Sequence, residues 1–270
     1  MRIMALLEVK HARLYYATTK GIVKAVDDVS FELNEGETLA IVGESGSGKS
    51  TLAKLLTRVW ERNVTLVDGE IYLDGKEVLH IPESEFRREV RWRKIAMVPQ
   101  ASMNALNPVI RIGDQMIEPL LLQGVNKDDA IKMAMNALES VGLPRDTINR
   151  YPHQLSGGMK QRVVIAMAIM AHPKIVILDE PTSALDVMTQ ANIMNLLKKL
   201  KWEYKLSYIF ITHDLALASE LADSVAIMYA GKIVEIGGAE DIYGSPSHPY
   251  TQGLISSVPT LRTDKTLSFI

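Results

Sequence analysis

The chain has 270 residues, 47% hydrophobic and 23% charged, a globular balance suited to one large domain or a domain with a subdomain. It has no cysteine, which excludes disulfides, cysteine nucleophiles, thiolate zinc sites and cysteine-bound iron–sulfur clusters. A formal net charge of −2 does not mark a nucleic-acid binder, and runs such as Val163 to Ala171 fall far short of the ~20 apolar residues that cross a bilayer.

The opening MRIMALLEVK holds too short an apolar run for a signal peptide. The first clear buried strand is Leu39–Val42. It leads into Gly43-Glu44-Ser45-Gly46-Ser47-Gly48-Lys49-Ser50, which satisfies G-x-x-x-x-G-K-[ST] in full, and Thr51 to Leu56 continue as a helix. The three glycines let backbone N–H groups converge on phosphate oxygens, and the helix N-terminus adds positive partial charge. Lys49 is placed to reach the β- and γ-phosphates and Ser50 to ligate Mg²⁺. Gly43, Ser45, Gly46, Ser47, Gly48, Lys49, Ser50 and Thr51 are therefore candidate nucleotide contacts.

Further along, Ile95–Val98 is followed by Pro99 and Gln100. Between Gln100 and Leu155 the pattern becomes helical. Asn126 caps a helix whose Ile131, Ala134, Met135 and Leu138 recur at helical spacing, and Gly142 and Pro144 stop it. Residues of about 101–160 thus read as a helical subdomain inserted in an α/β core. Ser156, Gly157 and Gly158 then open an apolar helix, whose N-terminus is a ready anion site. The strand Ile175–Leu178 delivers Asp179 to its polar end, where a carboxylate supports Mg²⁺, and Glu180 is placed to orient water as a base. Tyr208–Ile211 and Val225–Met228 are two more buried strands, and after residue 243 the chain turns to irregular GSPSHPYTQG. Three of the four strands at 39–42, 175–178, 208–211 and 225–228 lead directly into polar residues, as in open α/β sheets that bind ligands beyond their carboxyl ends.

Leu155-Ser156-Gly157-Gly158-Met159 resembles the LSGGQ signature of ABC ATPases, with Met159 where glutamine is commoner. Other motifs follow in that family's order. Gln100 resembles the Q-loop glutamine, which contacts Mg²⁺ and water; Ser183-Ala184-Leu185-Asp186 resembles the D-loop; His213 resembles the switch histidine facing the γ-phosphate. Tyr16 stands where the family places an aromatic ring that stacks on adenine, with Tyr15 adjacent. The resemblance covers residues 8 to about 260. It implies an ABC-type P-loop core sheet with helices, a small N-terminal antiparallel β-subdomain and the inserted helical subdomain, all within residues 1–245. It implies ATP and Mg²⁺ as ligands, with Lys49, Gln100, Glu180 and His213 serving hydrolysis, and Ser50, Gln100 and Asp179 serving the metal. It also implies a head-to-tail dimer in which Ser156, Gly157, Gly158 and Asp186 complete the nucleotide site of the partner.

Two stretches narrow the resemblance. Ala101 to Val109 and Ser247 to Ile255 are similar to the oligopeptide/dipeptide importer branch, and 21–29 with Met228 to Gly231 to the first of its two ATPase subunits. The implied partners are two integral membrane permease subunits, a second ATPase (a paralogue, or the chain itself) and, indirectly, an extracytoplasmic solute-binding protein. Nucleic acid is not among them. The implied location is the cytoplasmic face of the cell membrane. Residues 246–270 read as the branch's C-terminal extension, cut short before the cysteine-bearing tail of its relatives; with no cysteine, this chain holds no iron–sulfur cluster. Saccharide and nickel importers share the branch. Exporter motors share the core motifs. Soluble ABC ATPases acting on DNA or ribosomes are a different class, marked by coiled-coil insertions or paired cassettes, neither of which this sequence contains. Small-molecule kinases share only the P-loop.

Overall fold

The computed structural model describes residues 5–101, 105–183 and 185–257. Ser102 to Asn104, Ala184 and residues 258–270, which include parts of the branch-specific stretches and of the D-loop, lie outside the described residues. In chain order the strands are β1 (Leu7–Thr18), β2 (Gly21–Leu33), β3 (Thr38–Val42), β4 (Val64–Leu73), β5 (Lys76–Glu77), β6 (Ile95–Val98), β7 (Ile175–Asp179), β8 (Ser207–Thr212), β9 (Ser224–Tyr229) and β10 (Lys232–Gly238). The helices are α1 (Lys49–Thr57), α2 (Glu83–Glu89), α3 (Ile112–Leu122), α4 (Lys127–Ser140), α5 (Gly157–Ile169), α6 (Val187–Tyr204), α7 (Leu215–Leu221), α8 (Ala239–Gly244) and α9 (Pro249–Ser256). Among the described residues no helix is long and apolar enough to cross a membrane.

The strands form two sheets. An antiparallel sheet runs β2-β1-β4-β5, and a six-stranded sheet runs β10-β9-β3-β8-β7-β6. In the second, β6 through β9 and β3 are parallel neighbours, and β10 closes the edge antiparallel to β9. Parallel strands covered on both faces must be apolar throughout, and every residue of β3, β7 and β8 is buried. Alternation along β3 divides the core. Leu39 and Ile41 face the antiparallel sheet and α1, joining Leu14, Leu52, Leu55 and Phe86. Ala40 and Val42 face the other way, into a cluster with Leu178, Phe210, Val163 and Ile193.

That second cluster also takes in the helical stretch between β6 and β7, with Met116 and Leu120 of α3 and Ala134 and Leu138 of α4. The Asn126 side chain accepts the Asp129 amide at 3.0 Å to start α4, and Gly142, at φ +74°, ends it. Here α3 holds Pro119 in its interior and still runs to Leu122. A proline there usually breaks a helix, which is why the sequence pattern does not single α3 out.

Candidate functional site

The order β3-β8-β7-β6 decides what meets at one end of the sheet. The loop Gly43–Gly48 leaves β3, His213 follows β8, Glu180 follows β7 and Pro99-Gln100 follows β6. Glu180 therefore emerges from the strand flanked by those that deliver Gln100 and His213. Its carboxylate joins both: Gln100 Nε2 donates to Oε2 at 3.0 Å, and His213 Nδ1 lies 3.0 Å from Oε1. The Glu180 backbone is left-handed, at φ +48°, held by its amide donating to the Ile211 carbonyl at 2.9 Å and its carbonyl accepting from the Ser183 hydroxyl at 3.0 Å.

Two glycines of the phosphate loop, Gly43 and Gly48, sit where any side chain would clash. A Cβ on Gly43 would stand 2.1 Å from the Met228 carbonyl oxygen. One on Gly48, at φ +107°, would stand 2.1 Å from that of Ala25. Lys49 begins α1, earlier than the motif alone suggests, and is buried. Its ammonium donates to the carbonyls of Gly43 at 2.7 Å and Glu44 at 2.8 Å, and burial lowers its pKa. Ser50 donates to Asp179 Oδ1 at 3.0 Å. Burial pushes the Asp179 carboxyl up to about 6; the Ser50 hydroxyl opposes that shift and the Glu180 charge adds to it.

A cavity of about 440 Å³ lies along this loop. Ser45, Gly46, Gly48, Lys49, Ser50, Thr51, Gln100 and Glu180 line it, as do five residues the sequence reading passes over as ligands: Val23, Lys24, Ala25, Ala230 and Gly231. The last two form the β9–β10 turn, both at positive φ, and the Gly231 amide donates to the Ser47 carbonyl at 2.9 Å. Gly231 is the one local turn signal there, and nothing near it in the chain shows its packing on the phosphate loop. Oxygen donors from Ser50 and Asp179, beside a glycine nest, fit a hard divalent cation that shares its shell with phosphate. Among the described residues there is no cluster of three or more His, Cys, Asp or Glu that would cage a metal alone.

Tyr16 is half-buried and does not line the cavity. It sits opposite Val23 across β1 and β2, and its hydroxyl donates to Glu61 at 3.0 Å. Burial, then that bond, push its pKa up to about 12. Tyr15 faces the other side, opposite Lys24, and donates to Asp27 at 2.5 Å. Ser156 caps α5 by accepting the Met159 amide at 3.3 Å. Asp186 caps α6 by accepting the Thr189 amide at 2.9 Å and its hydroxyl at 2.6 Å, bonds that hold its carboxyl below the ordinary range. The two caps adjoin, since a Cβ on Gly158 would lie 2.8 Å from Thr189 Cγ2. Ser156, Gly157, Gly158 and Asp186 thus gather on one surface, and none of them lines the phosphate-loop cavity of the same chain.

Comparison with known proteins agrees with this fold. The ABC transporter family matches residues 26–183, and the oligopeptide/dipeptide transporter C-terminal region matches residues 234–269. The chain is 48% identical to the dipeptide transport ATP-binding protein DppD of Lactococcus lactis subsp. cremoris over 94% of its length and 74% of that protein's. It is 46% identical to the oligopeptide transport ATP-binding protein OppD of Bacillus subtilis, over 97% and 74% of the two chains. The solved dimer of the ATP-binding cassette MJ0796 bound to ADP and Pi superposes with a TM-score of 0.75 at 30% identity, covering 86% of this chain and 98% of that one. A shared fold, a complete phosphate loop and relatives of this similarity lead to one assignment: the chain belongs to the ABC transporter ATP-binding family, in its oligopeptide/dipeptide transport branch.

Proposed function

We propose that this chain binds and hydrolyses ATP with Mg²⁺ to drive an importer of oligopeptides or dipeptides from the cytoplasmic face of the membrane. The observation that carries the reading is Glu180, held at 3.0 Å by both Gln100 and His213 beside the phosphate loop. In this reading Lys49 and the loop amides hold the phosphates, and Ser50, Gln100 and Asp179 hold the metal, which neutralises phosphate charge when bound. Glu180 takes a proton from the attacking water, while Gln100 and His213 fix the carboxylate's orientation. Tyr16 is the aromatic ring read to stack on adenine.

Ser156, Gly157, Gly158 and Asp186 act on a nucleotide held by a second ATPase, a paralogue or another copy, in a head-to-tail dimer. That none of them lines this chain's own phosphate-loop cavity supports that arrangement. Residues 1–245 form the cassette, with 101–160 as its helical subdomain, and 246–270 the extension. Permease subunits dock in a cavity of about 940 Å³ lined by Arg87, Arg91, Trp92, Pro119, Leu122 and Gly124, where Leu122 is 83% exposed. Exposed apolar surface beside arginines suits an inserted helix from a membrane partner.

The test is peptide uptake into proteoliposomes containing this chain, its co-purified membrane partners and the solute-binding protein. ATP-dependent uptake of short peptides is expected. Uptake of nickel or saccharide instead would reassign the cargo. Absence of phosphate release from the wild-type assembly would overturn the motor reading.

A further inference from the structure

The segment Ser247-His248-Pro249-Tyr250 is not used by the nucleotide chemistry, yet the fold fixes it with care. Glu235 of β10 accepts the amides of Ser247 at 2.6 Å and His248 at 3.1 Å. His248 Nδ1 accepts the Tyr250 amide at 3.1 Å as the cap of α9. Pro249 occupies the first helical position, where no amide is needed, and Gln252 donates to the Pro246 carbonyl at 2.9 Å. These bonds fix the start of α9 and so the position of Tyr250.

The Tyr250 ring then meets Tyr229, the last residue of β9, with centroids 4.6 Å apart and planes tilted by 46°. Its hydroxyl accepts the Glu44 amide at 3.4 Å. Glu44 is the residue whose carbonyl receives the Lys49 ammonium at 2.8 Å. From the other side the Met228 carbonyl abuts Gly43 so closely that a Cβ there would lie 2.1 Å away. The first two residues of the phosphate loop are thus held between the end of β9 and Tyr250.

We propose that Tyr250 is a positioning residue for the phosphate loop, holding Glu44 and through it Lys49, so that the C-terminal segment governs nucleotide affinity. The proposal rests on the reading of Gly43–Ser50 as the nucleotide loop. Tyr250→Phe removes only the hydroxyl and keeps the ring on Tyr229; Tyr250→Ala removes both.

Two measurements on the full chain and its assembled complex test it. Hydrogen exchange of the 43–48 amides in nucleotide-free protein should speed up about two- to tenfold in Tyr250→Phe, the effect of losing one neutral hydrogen bond. Binding of a fluorescent ATP analogue should weaken about two- to fivefold, and KM for ATP should rise while kcat stays within about twofold. Tyr250→Ala should match or exceed these changes; if it fails to fold, Tyr250→Phe decides. Either exchange at 43–48 or affinity equal to wild type in Tyr250→Phe would overturn the proposal. If wild-type protein bound no ATP analogue, the nucleotide reading would fall and the proposal with it, whereas a wild type that binds with unchanged Tyr250→Phe exchange would sink the proposal alone.

Discussion

Glu180 holds a left-handed backbone, φ +48°, that a non-glycine residue adopts at a cost of about 1 kcal/mol or more. The bonds to Ile211 and Ser183 keep it there, and the result is a carboxylate aimed between Gln100 and His213. Glu180→Gln keeps the shape and removes the base. Phosphate release by the assembled complex should fall by about 100-fold or more while nucleotide affinity stays within about threefold; equal loss of both would assign Glu180 to binding. The glycines make a second residue-level prediction. Gly48→Ala meets both positive φ and the Ala25 carbonyl, whereas Gly46, at φ +81°, has open space around it. In denaturant titrations Gly48→Ala should destabilise by about 2 kcal/mol or more and Gly46→Ala by about 1 kcal/mol. These positions were readable in the sequence because the motif fixes their spacing. Lys24, Ala230 and Tyr250 were not, because they reach the site from far along the chain, Tyr250 lying 206 residues from Glu44, and no local pattern encodes such contacts.

Among elements, the caps were the most legible features. Asn126 and Ser156 each precede an apolar periodic run, and each accepts the amide three residues on. Harder to foresee is how the two sheets are joined. Asp74, in the β4–β5 turn, accepts from Lys94 at 3.1 Å and Lys174 at 2.7 Å, residues that stand just before β6 and β7. Burial pushes its pKa up, but the two lysines outweigh burial, and the net shift is downward. A depressed carboxylate contributes stability that is full above its unfolded pKa and is lost as pH falls through the folded value. Asp74→Asn keeps the turn, since asparagine also tolerates the φ of +52° found there. It should cost about 1 to 2 kcal/mol at pH 7, discounted for partial exposure, and nothing once pH drops below the carboxylate range. A penalty that persists in acid would mean that Asp74 acts by shape and not by charge.

For the whole molecule, the proposed head-to-tail dimer makes the signature surface and the phosphate loop of one chain serve different nucleotides. Ser156→Arg should lower turnover of the assembled complex at least about tenfold, as loss of an anion-binding helix end in the closed dimer implies. The isolated chain should bind ATP within about twofold of wild type; if its affinity falls as far as turnover, Ser156 serves its own chain and the head-to-tail reading fails. The parallel sheet carries a further consequence. Gln100, Glu180 and His213 follow three neighbouring strands spaced about 4.8 Å apart, with registers locked by pairs such as Asp179 opposite Ile211. Deleting one residue within β7 would exchange the faces on which Asp179 and Glu180 project, and would also swap the buried side chains that the strand gives to the two cores. Such a register error would cost packing as well as chemistry, so gene changes of one codon in β6, β7 or β8 should be far less tolerated than in the loops that follow them.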